Sequence, residues 1–334
     1  MKILVTGGAG YIGRTVVSVL LDSGYIPVIL DSLIKGPREF TEDQVFYCGD
    51  IGDNKILSQI FTEHPDIVAV MHFAALIDIE ESTRMPSKYY TENLLKSQIL
   101  LNSALSSGIK CFLFSSTAAV YRSSSPKDGL REDSPLEPLS AYAASKLMFE
   151  RILADACREK KGFGVALRYF NPIGADPLMR SGPYNSDPSH LLGKLTKLPA
   201  GGTFTIYGND YSTRDGTPMR DFIHVWDLAE AHVAALHFMM NSKGVGFEAI
   251  NIGSGIGVTV QEFVDSFLGI SKIPIKIAIG ERRPGDSAGA FANTLRAKSL
   301  LDWSPRFTLD QGISDSLSWE KAWLARRQRS DGVD

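Results

Sequence analysis

The 334-residue sequence has only three cysteines, Cys48, Cys111 and Cys157. They stand too far apart for a zinc spacing or a disulfide framework, and no metal is expected. They are expected to be buried apolar side chains in a reducing cytoplasm. The chain also lacks an excess of positive charge: 35 Lys and Arg against 38 Asp and Glu leave a net charge of −3. Nucleic-acid binders are usually basic, so no nucleic-acid partner is expected. No apolar run reaches the roughly 18 residues that span a bilayer. The opening MKILVTGG enters a strand pattern without the layout of a signal peptide. No membrane association is expected, and the expected location is cytoplasmic. There is no internal repeat. With 44% apolar and 22% charged residues the chain reads as globular, which excludes disorder and coiled coil.

What is present is an alternation. Lys2–Val5, Pro27–Leu30, Phe46–Gly49, Ile67–Met71 and Cys111–Phe114 are short apolar runs. Amphipathic stretches such as Arg14–Ser23, Asn54–Glu63 and Pro86–Ser107 lie between them. Continuous apolar runs suit parallel strands buried on both faces, and the alternation predicts an α/β fold, a doubly wound parallel sheet with right-handed crossovers. Val165–Tyr169 and Ala249–Ile252 read as later strands of that sheet. Residues 172–220 and 254–310 are richer in Gly, Pro, Ser and Asp. They predict a smaller substrate domain interleaved with the last strands. The expected division is 1–171 plus 221–253 for the dinucleotide and 172–220 plus 254–334 for the substrate. The polar tail Arg326–Asp334 is expected to fray.

The first strand runs into Gly7-Gly8-Ala9-Gly10-Tyr11-Ile12-Gly13, with Gly7, Gly10 and Gly13 in the spacing G-x-x-G-x-x-G. A dinucleotide pyrophosphate needs a tight turn, close backbone approach and a helix N-terminus whose free N–H groups face the anion. The loop follows a strand and opens a helix, the context that separates it from an ordinary glycine-rich turn. The second strand ends at Asp31, 18 residues after Gly13. A carboxylate there accepts from the adenosine ribose hydroxyls and repels a 2′-phosphate, which favours NAD over NADP. Lys35 and Arg38 nearby read as solvated loop charges. Asp50-Ile51 is placed to read the adenine, or to form a plain turn.

The strand Cys111–Phe114 leads into Ser115-Ser116-Thr117-Ala118-Ala119-Val120-Tyr121, followed by Tyr142-Ala143-Ala144-Ser145-Lys146. At i and i+4 on a helix, Tyr142 and Lys146 share a face. A tyrosine with an ordinary pKa of about 10 is a poor base at neutral pH. A nearby ammonium and the positive nicotinamide ring would favour the phenolate. Lys146 can also hold the nicotinamide ribose. Thr117, at the C-terminal end of a parallel strand, can share a proton with a substrate hydroxyl.

Together the glycine loop, Asp31, His72-Phe73-Ala74-Ala75, Asn93, the hydroxyl-rich strand end and Tyr142-x-x-x-Lys146 resemble the extended short-chain dehydrogenase/reductase family. Arg168-Tyr169-Phe170-Asn171-Pro172, Tyr207-Gly208-Asn209-Asp210-Tyr211, Asp215-Gly216-Thr217, Arg220-Asp221-Phe222-Ile223-His224-Val225 and Arg282-Arg283-Pro284-Gly285-Asp286 narrow the likeness to its UDP-hexose 4-epimerases. These motifs recur in order over nearly the whole chain.

The resemblance implies an isomerase with NAD, in which Tyr142, assisted by Thr117, takes the proton of the sugar 4-hydroxyl while the C4 hydride leaves and returns on the other face. It implies further cofactor contacts from Phe73, Ala74, Ala75, Asn93, Ser115 and Tyr169. It implies diphosphate ligands in Arg220 and Arg283, a role suited to forked guanidinium donors. Asn171, Tyr207 and Asp286 are implied as contacts to the nucleotide or sugar. His190 is placed at the uridine diphosphate or serves structure. Ala290, four places after Asp286, is implied beside the sugar C2 substituent, where a small residue admits an N-acetyl group. The partners so implied are a UDP-sugar and a second copy of the chain, joined through the helices near 86–107 and 141–160.

Three positions depart from the family pattern: Glu80 in Glu80-Glu81-Ser82, Lys96 after Leu95, and Arg122 after Tyr121. A 4,6-dehydratase would carry Asp-Glu where this chain has Ala118-Ala119. The same lack of added catalytic groups disfavours a UDP-glucuronate decarboxylase. A UDP-uronate 4-epimerase stays open. A non-catalytic NAD-sensing regulator would have dispensed with Tyr142 or Lys146.

Overall fold

The computed structural model describes residues 1–122, 127–185, 188, 190–242, 244–283 and 287–330. The apolar runs become seven parallel strands of one sheet. In chain order these are β1 (Lys2–Thr6), β2 (Ile26–Asp31), β3 (Val45–Cys48), β4 (Ile67–His72), β5 (Cys111–Ser115) and β6 (Phe163–Tyr169). Then come β7 (Asn171–Ile173), β8 (Thr203–Tyr207) and β9 (Met219–His224), which lie elsewhere, and β10 (Gly246–Ile252), which closes the sheet. Its spatial order is β10-β6-β5-β4-β1-β2-β3. The order reverses between β1 and β4, and at that switch point a crevice opens beyond the strand ends.

Burial on both faces explains the continuous apolar runs. In β1, Ile3 and Val5 enter one core with Ile29, Met71 and the helix Val225–Asn241. Leu4 faces the other core, with Val28, Val70, Phe112, Phe114 and the helices Asn54–Glu63 and Ala141–Lys160. Successive strand residues point to opposite faces, so neither face can be polar. The amphipathic stretch 86–107 is continuous helix, Pro86–Tyr89, a π-helical turn Tyr90–Leu95, then Lys96–Ser106.

The remaining strands build two small sheets from distant segments. With β11 (Gly257–Thr259), β12 (Lys276–Gly280) and β13 (Gly289–Ala290), one sheet runs β11-β9-β13 with β7 also on β9, and the other pairs β12 with β8. The helix Val260–Ser271 behind them starts at a reciprocal cap in which the Thr259 hydroxyl accepts from Glu262 N and Glu262 answers to Thr259 N.

Two expectations need correction. Cys48 is exposed, Cys111 half-buried and only Cys157 buried, because Cys48 ends the edge strand β3. Of the tail Arg326–Asp334, residues 326–330 continue the helix Leu309–Ser330, and Arg326 lies over the Trp319 ring at 5.3 Å and donates to Met179 O at 2.7 Å, while residues 331–334 lie outside the described residues. Among the described residues no helix is long and apolar enough to cross a membrane.

Candidate functional site: a dinucleotide cleft with a Thr-Tyr-Lys centre

The glycine loop is glycine-rich for separable reasons. A Cβ on Gly13 would lie 2.1 Å from Gly7 O, inside the turn, and one on Gly7 (φ +74°) would lie 2.6 Å from Ala74 N. Gly10 is different: a Cβ there would meet only Gly7 O at 3.2 Å and the Tyr184 hydroxyl at 4.0 Å, on the open side. The helix starts at Tyr11, so the N–H groups of its first turn have no partner within it. This backbone cradle fits a diphosphate. Tyr11 offers backbone only, since its hydroxyl donates to Gly174 O at 2.6 Å. Ile12 and Gly13 complete the turn.

Asp31 stands at the end of β2 beside this loop. Its two oxygens accept from Ala9 N and Leu33 N, each at 2.9 Å, and burial raises its pKa against those bonds. Each oxygen keeps a second lone pair for a ribose hydroxyl. Asp50 is more heavily engaged. Oδ1 accepts from Gly52 N at 2.7 Å, the turn-forming role, and Oδ2 accepts from Lys96 Nζ at 2.6 Å. Lys96 also donates to Glu92 at 2.7 Å. Of the three departures, Lys96 reaches a residue of the expected cofactor site. Glu80 pairs with Arg84 and Arg122 with Glu137 at the surface.

Phe73, Ala74 and Ala75 follow β4, and Ile51 is buried beside the turn. Asn93 lies in the π-helical turn and grips Leu76 through both ends of its amide: Oδ1 accepts from Leu76 N at 2.8 Å and Nδ2 donates to Leu76 O at 2.9 Å, leaving a second N–H and a second lone pair. It positions the loop after β4.

Thr117, Tyr142 and Lys146 converge at the end of β5. Thr117 caps the turn Ala118–Val120 by accepting from Ala119 N at 3.1 Å, and its side chain is near enough to Tyr142 to pull the pKa of the phenol down. Tyr142 and Lys146 occupy the first turns of Ala141–Lys160, whose N-cap is the Ser140 hydroxyl accepting from Ala143 N. Lys146 donates to Ser115 O at 2.9 Å. Ser115 Oγ lies 2.5 Å from the Tyr169 hydroxyl.

Burial dominates the electrostatics of the chain's own groups. Burial raises Tyr142, with the Thr117 hydrogen bond pulling the other way, and burial lowers Lys146 to about 7 against the pull of Glu150. The ammonium is held on the Ser115 carbonyl, 6.0 Å from the Tyr142 ring centre, so burial governs the phenol.

On the substrate side, Arg220 and Ala290 are register partners on β9 and β13. Arg283 stacks over the Tyr207 ring at 3.8 Å. Asn171 Nδ2 donates to Asp221 O at 3.0 Å. Asp221 is buried and gathers Ser254 N, Ser254 Oγ, Gly255 N and Ala292 N within 3.1 Å, fixing the strand of Ala290. His190 caps the helix Leu191–Thr196 through Nδ1, which accepts from Gly193 N at 3.1 Å. Asp286 lies outside the described residues.

Two features escaped the sequence reading. Arg168 and Glu150 form a buried ion pair at 2.6 Å behind the centre, with Ser116, Tyr121 and Glu132 as further partners. An arginine inside an apolar strand was its signal. Tyr184 over the glycine loop had none.

A diphosphate cradle at the switch point of a parallel sheet, beside a hydroxyl pair and a buried lysine, defines a dinucleotide-dependent enzyme. The family described as NAD dependent epimerase/dehydratase matches residues 3–253. A UDP-glucose 4-epimerase of Bacillus subtilis (strain 168) is 40% identical over 96% of this chain and 97% of its own. One of Dictyostelium discoideum is 39% identical over 96% and 95%. The structure of UDP-glucose-4-epimerase from Stenotrophomonas maltophila with bound NAD and formylated UDP-arabinopyranose superposes with a TM-score of 0.91 at 33% identity, covering 98% of this chain and 99% of that one. The UDP-Glc/GlcNAc 4-epimerase from Campylobacter jejuni superposes at 0.83 and 33%, covering 96% and 99%. The chain belongs to the NAD dependent epimerase/dehydratase family.

Proposed function

We propose that the chain is an NAD-dependent isomerase that inverts C4 of a UDP-hexose, interconverting UDP-glucose and UDP-galactose and, in addition, UDP-N-acetylglucosamine and UDP-N-acetylgalactosamine. The observation that carries this reading is the Thr117–Tyr142 hydroxyl pair at the strand end, with Lys146 buried beside it. Bound NAD supplies reversible hydride transfer at C4, so the sugar passes through a 4-keto form with no net redox. Beside the positive nicotinamide ring Tyr142 would act as the phenolate, which takes the proton of the 4-hydroxyl to become the neutral phenol and gives it back when the ketone is reduced, with Thr117 Oγ1 sharing that proton. Lys146 holds the Ser115 carbonyl and offers its remaining donors to the nicotinamide ribose. Arg220 and Arg283 bind the diphosphate, with Asn171, His190, Tyr207 and Asp286 around the nucleotide and sugar. The test is direct: the purified protein with UDP-galactose should yield UDP-glucose in a coupled assay. No conversion would refute the reading.

The cofactor choice has its own test. Nucleotide released by denaturing the purified protein should be NAD, because Asp31 carries negative charge where a 2′-phosphate would sit. Recovery of mainly NADP would overturn this.

The breadth for N-acetyl sugars rests on Ala290. It is half-buried in a cluster with Phe170 and Ala292 and adjoins Arg220. Overpacking a rigid site costs roughly 1–3 kcal/mol. Ala290→Tyr should therefore lower kcat/KM for the N-acetyl sugars at least about tenfold while sparing UDP-galactose. Equal losses on both would show that the residue does not shape the pocket.

We assign the dinucleotide to residues 1–171 plus 221–253 and the nucleotide sugar to 172–220 plus 254–334, with β9 at the join. The three free cysteines suit a reducing cytoplasm. The proposed homodimer uses the helices of 86–107 and 141–160. Leu95 (53%) and Met148 (47%) are large apolar side chains exposed on them. Light scattering should give twice the chain mass at micromolar concentration, and a monomer would count against it.

A further inference from the structure

Tyr184 lies far along the chain from the glycine loop, on the segment that leaves β7, yet its hydroxyl comes to the loop. It is 4.0 Å from where a Cβ on Gly10 would be, on the side of the loop that the chain leaves open. The Asp31 carboxylate is near enough to act on the Tyr184 hydroxyl through charge.

The approach is built. The Tyr184 ring meets Phe40 edge-on at 5.7 Å and joins the cluster of Ala9, Phe40, Ala175 and Trp319. The preceding backbone is pinned by Trp319, whose Nε1 donates to Pro183 O at 2.7 Å and whose ring leaves no room for a side chain on Gly182. A tyrosine held this firmly has little conformational entropy left to lose on contacting a ligand. Among the described residues its hydroxyl has no hydrogen-bond partner. Burial and Asp31 push its pKa to about 12, so it remains a neutral donor at physiological pH.

We propose that Tyr184 is a cofactor-binding residue: its hydroxyl donates a hydrogen bond to the diphosphate of the dinucleotide on the Gly10 side, opposite the N–H groups of the helix start. The glycine loop encloses the diphosphate from one side only, and Tyr184 closes the other. The closing group comes from the segment that ends at His190. Cofactor retention is thereby tied to the part of the chain assigned to the sugar nucleotide. The inference rests on the NAD-dependent reading above.

Tyr184→Phe tests it, since it keeps the ring on Phe40 and removes only the hydroxyl. Holoenzyme is loaded with labelled NAD and its release is followed in excess unlabelled NAD. A hydrogen bond to a charged group contributes about 1.5–3 kcal/mol, which converts to release about ten- to a hundredfold faster. Far-UV circular dichroism of the loaded variant should match the unsubstituted protein, so that faster release is not a loss of fold, and its melting temperature in excess NAD should fall in step with the weakened binding. An unchanged release rate in Tyr184→Phe would overturn the proposal. So would faster release in Tyr184→Ala with Tyr184→Phe unchanged, because the ring alone would then be responsible. If the unsubstituted protein neither retains NAD nor converts UDP-galactose, the underlying functional reading fails instead.

Discussion

Tyr142→Phe is expected to fold normally and to lose turnover by about 10²–10⁴-fold, the range for removing a general acid or base. The substitution keeps the buried ring and deletes one hydroxyl, whose side-chain partner is Thr117. Stability should barely move, so the loss belongs to chemistry. The discriminating measurement is kcat at saturating UDP-galactose, with far-UV circular dichroism as the check on folding. Near-normal turnover would remove the proton-transfer role from Tyr142. Lys146→Ala should lose activity too and also loosen the cofactor, because the lysine anchors on Ser115 O rather than on the phenol.

The second large effect is on stability. Glu150→Ala is expected to destabilise the protein by about 3–5 kcal/mol, the range for removing one partner of a buried ion pair. Among the described residues Arg168 would keep only the Tyr121 hydroxyl and Glu132 O as hydrogen-bond partners, at 3.0 and 3.2 Å. The urea midpoint, measured with saturating NAD, should fall accordingly. The double replacement Glu150→Leu with Arg168→Met should recover much of the loss, since an apolar pair of similar volume often substitutes for a buried ion pair. If the single replacement costs under about 1 kcal/mol, the pair behaves as an exposed one.

The main sheet was legible because its strands are buried on both faces, which writes each as an unbroken apolar run. All seven runs are strands in the parallel sheet, with ends within a few residues of those read. The helix Asn54–Glu63 has the bounds read from its pattern. The small sheets were not legible in detail. Strands such as β11 and β13 have three and two residues, too short for a periodicity, and their partner β9 is distant in sequence. At the site, motif spacing brought out Thr117, Tyr142 and Lys146, which do meet. What spacing cannot supply is which polar atoms are already taken. Asn93 is held on Leu76 and Asp50 shares its carboxylate with Lys96, across 46 residues. The burial that governs Tyr142 and Lys146 is likewise a property of packing, invisible to a pattern of residues along a line.

The place of β10 in the sheet sets a schedule for the newborn chain. β10 covers the outer edge of β6 along Gly246–Ile252, yet it follows β6 only after β7, β8, β9 and a long helix have been made. At a ribosomal rate of about 5–20 residues per second, the edge of β6 waits roughly 4–17 s for its neighbour. Throughout that interval a long row of unpaired N–H and C=O groups borders an apolar strand, an edge other chains can join. A fragment ending after Tyr169 would live permanently in that condition. Such a truncated product should aggregate rather than persist as a free nucleotide-binding half. The interleaving that brings both halves to one cleft thus also makes the protein all-or-nothing to manufacture.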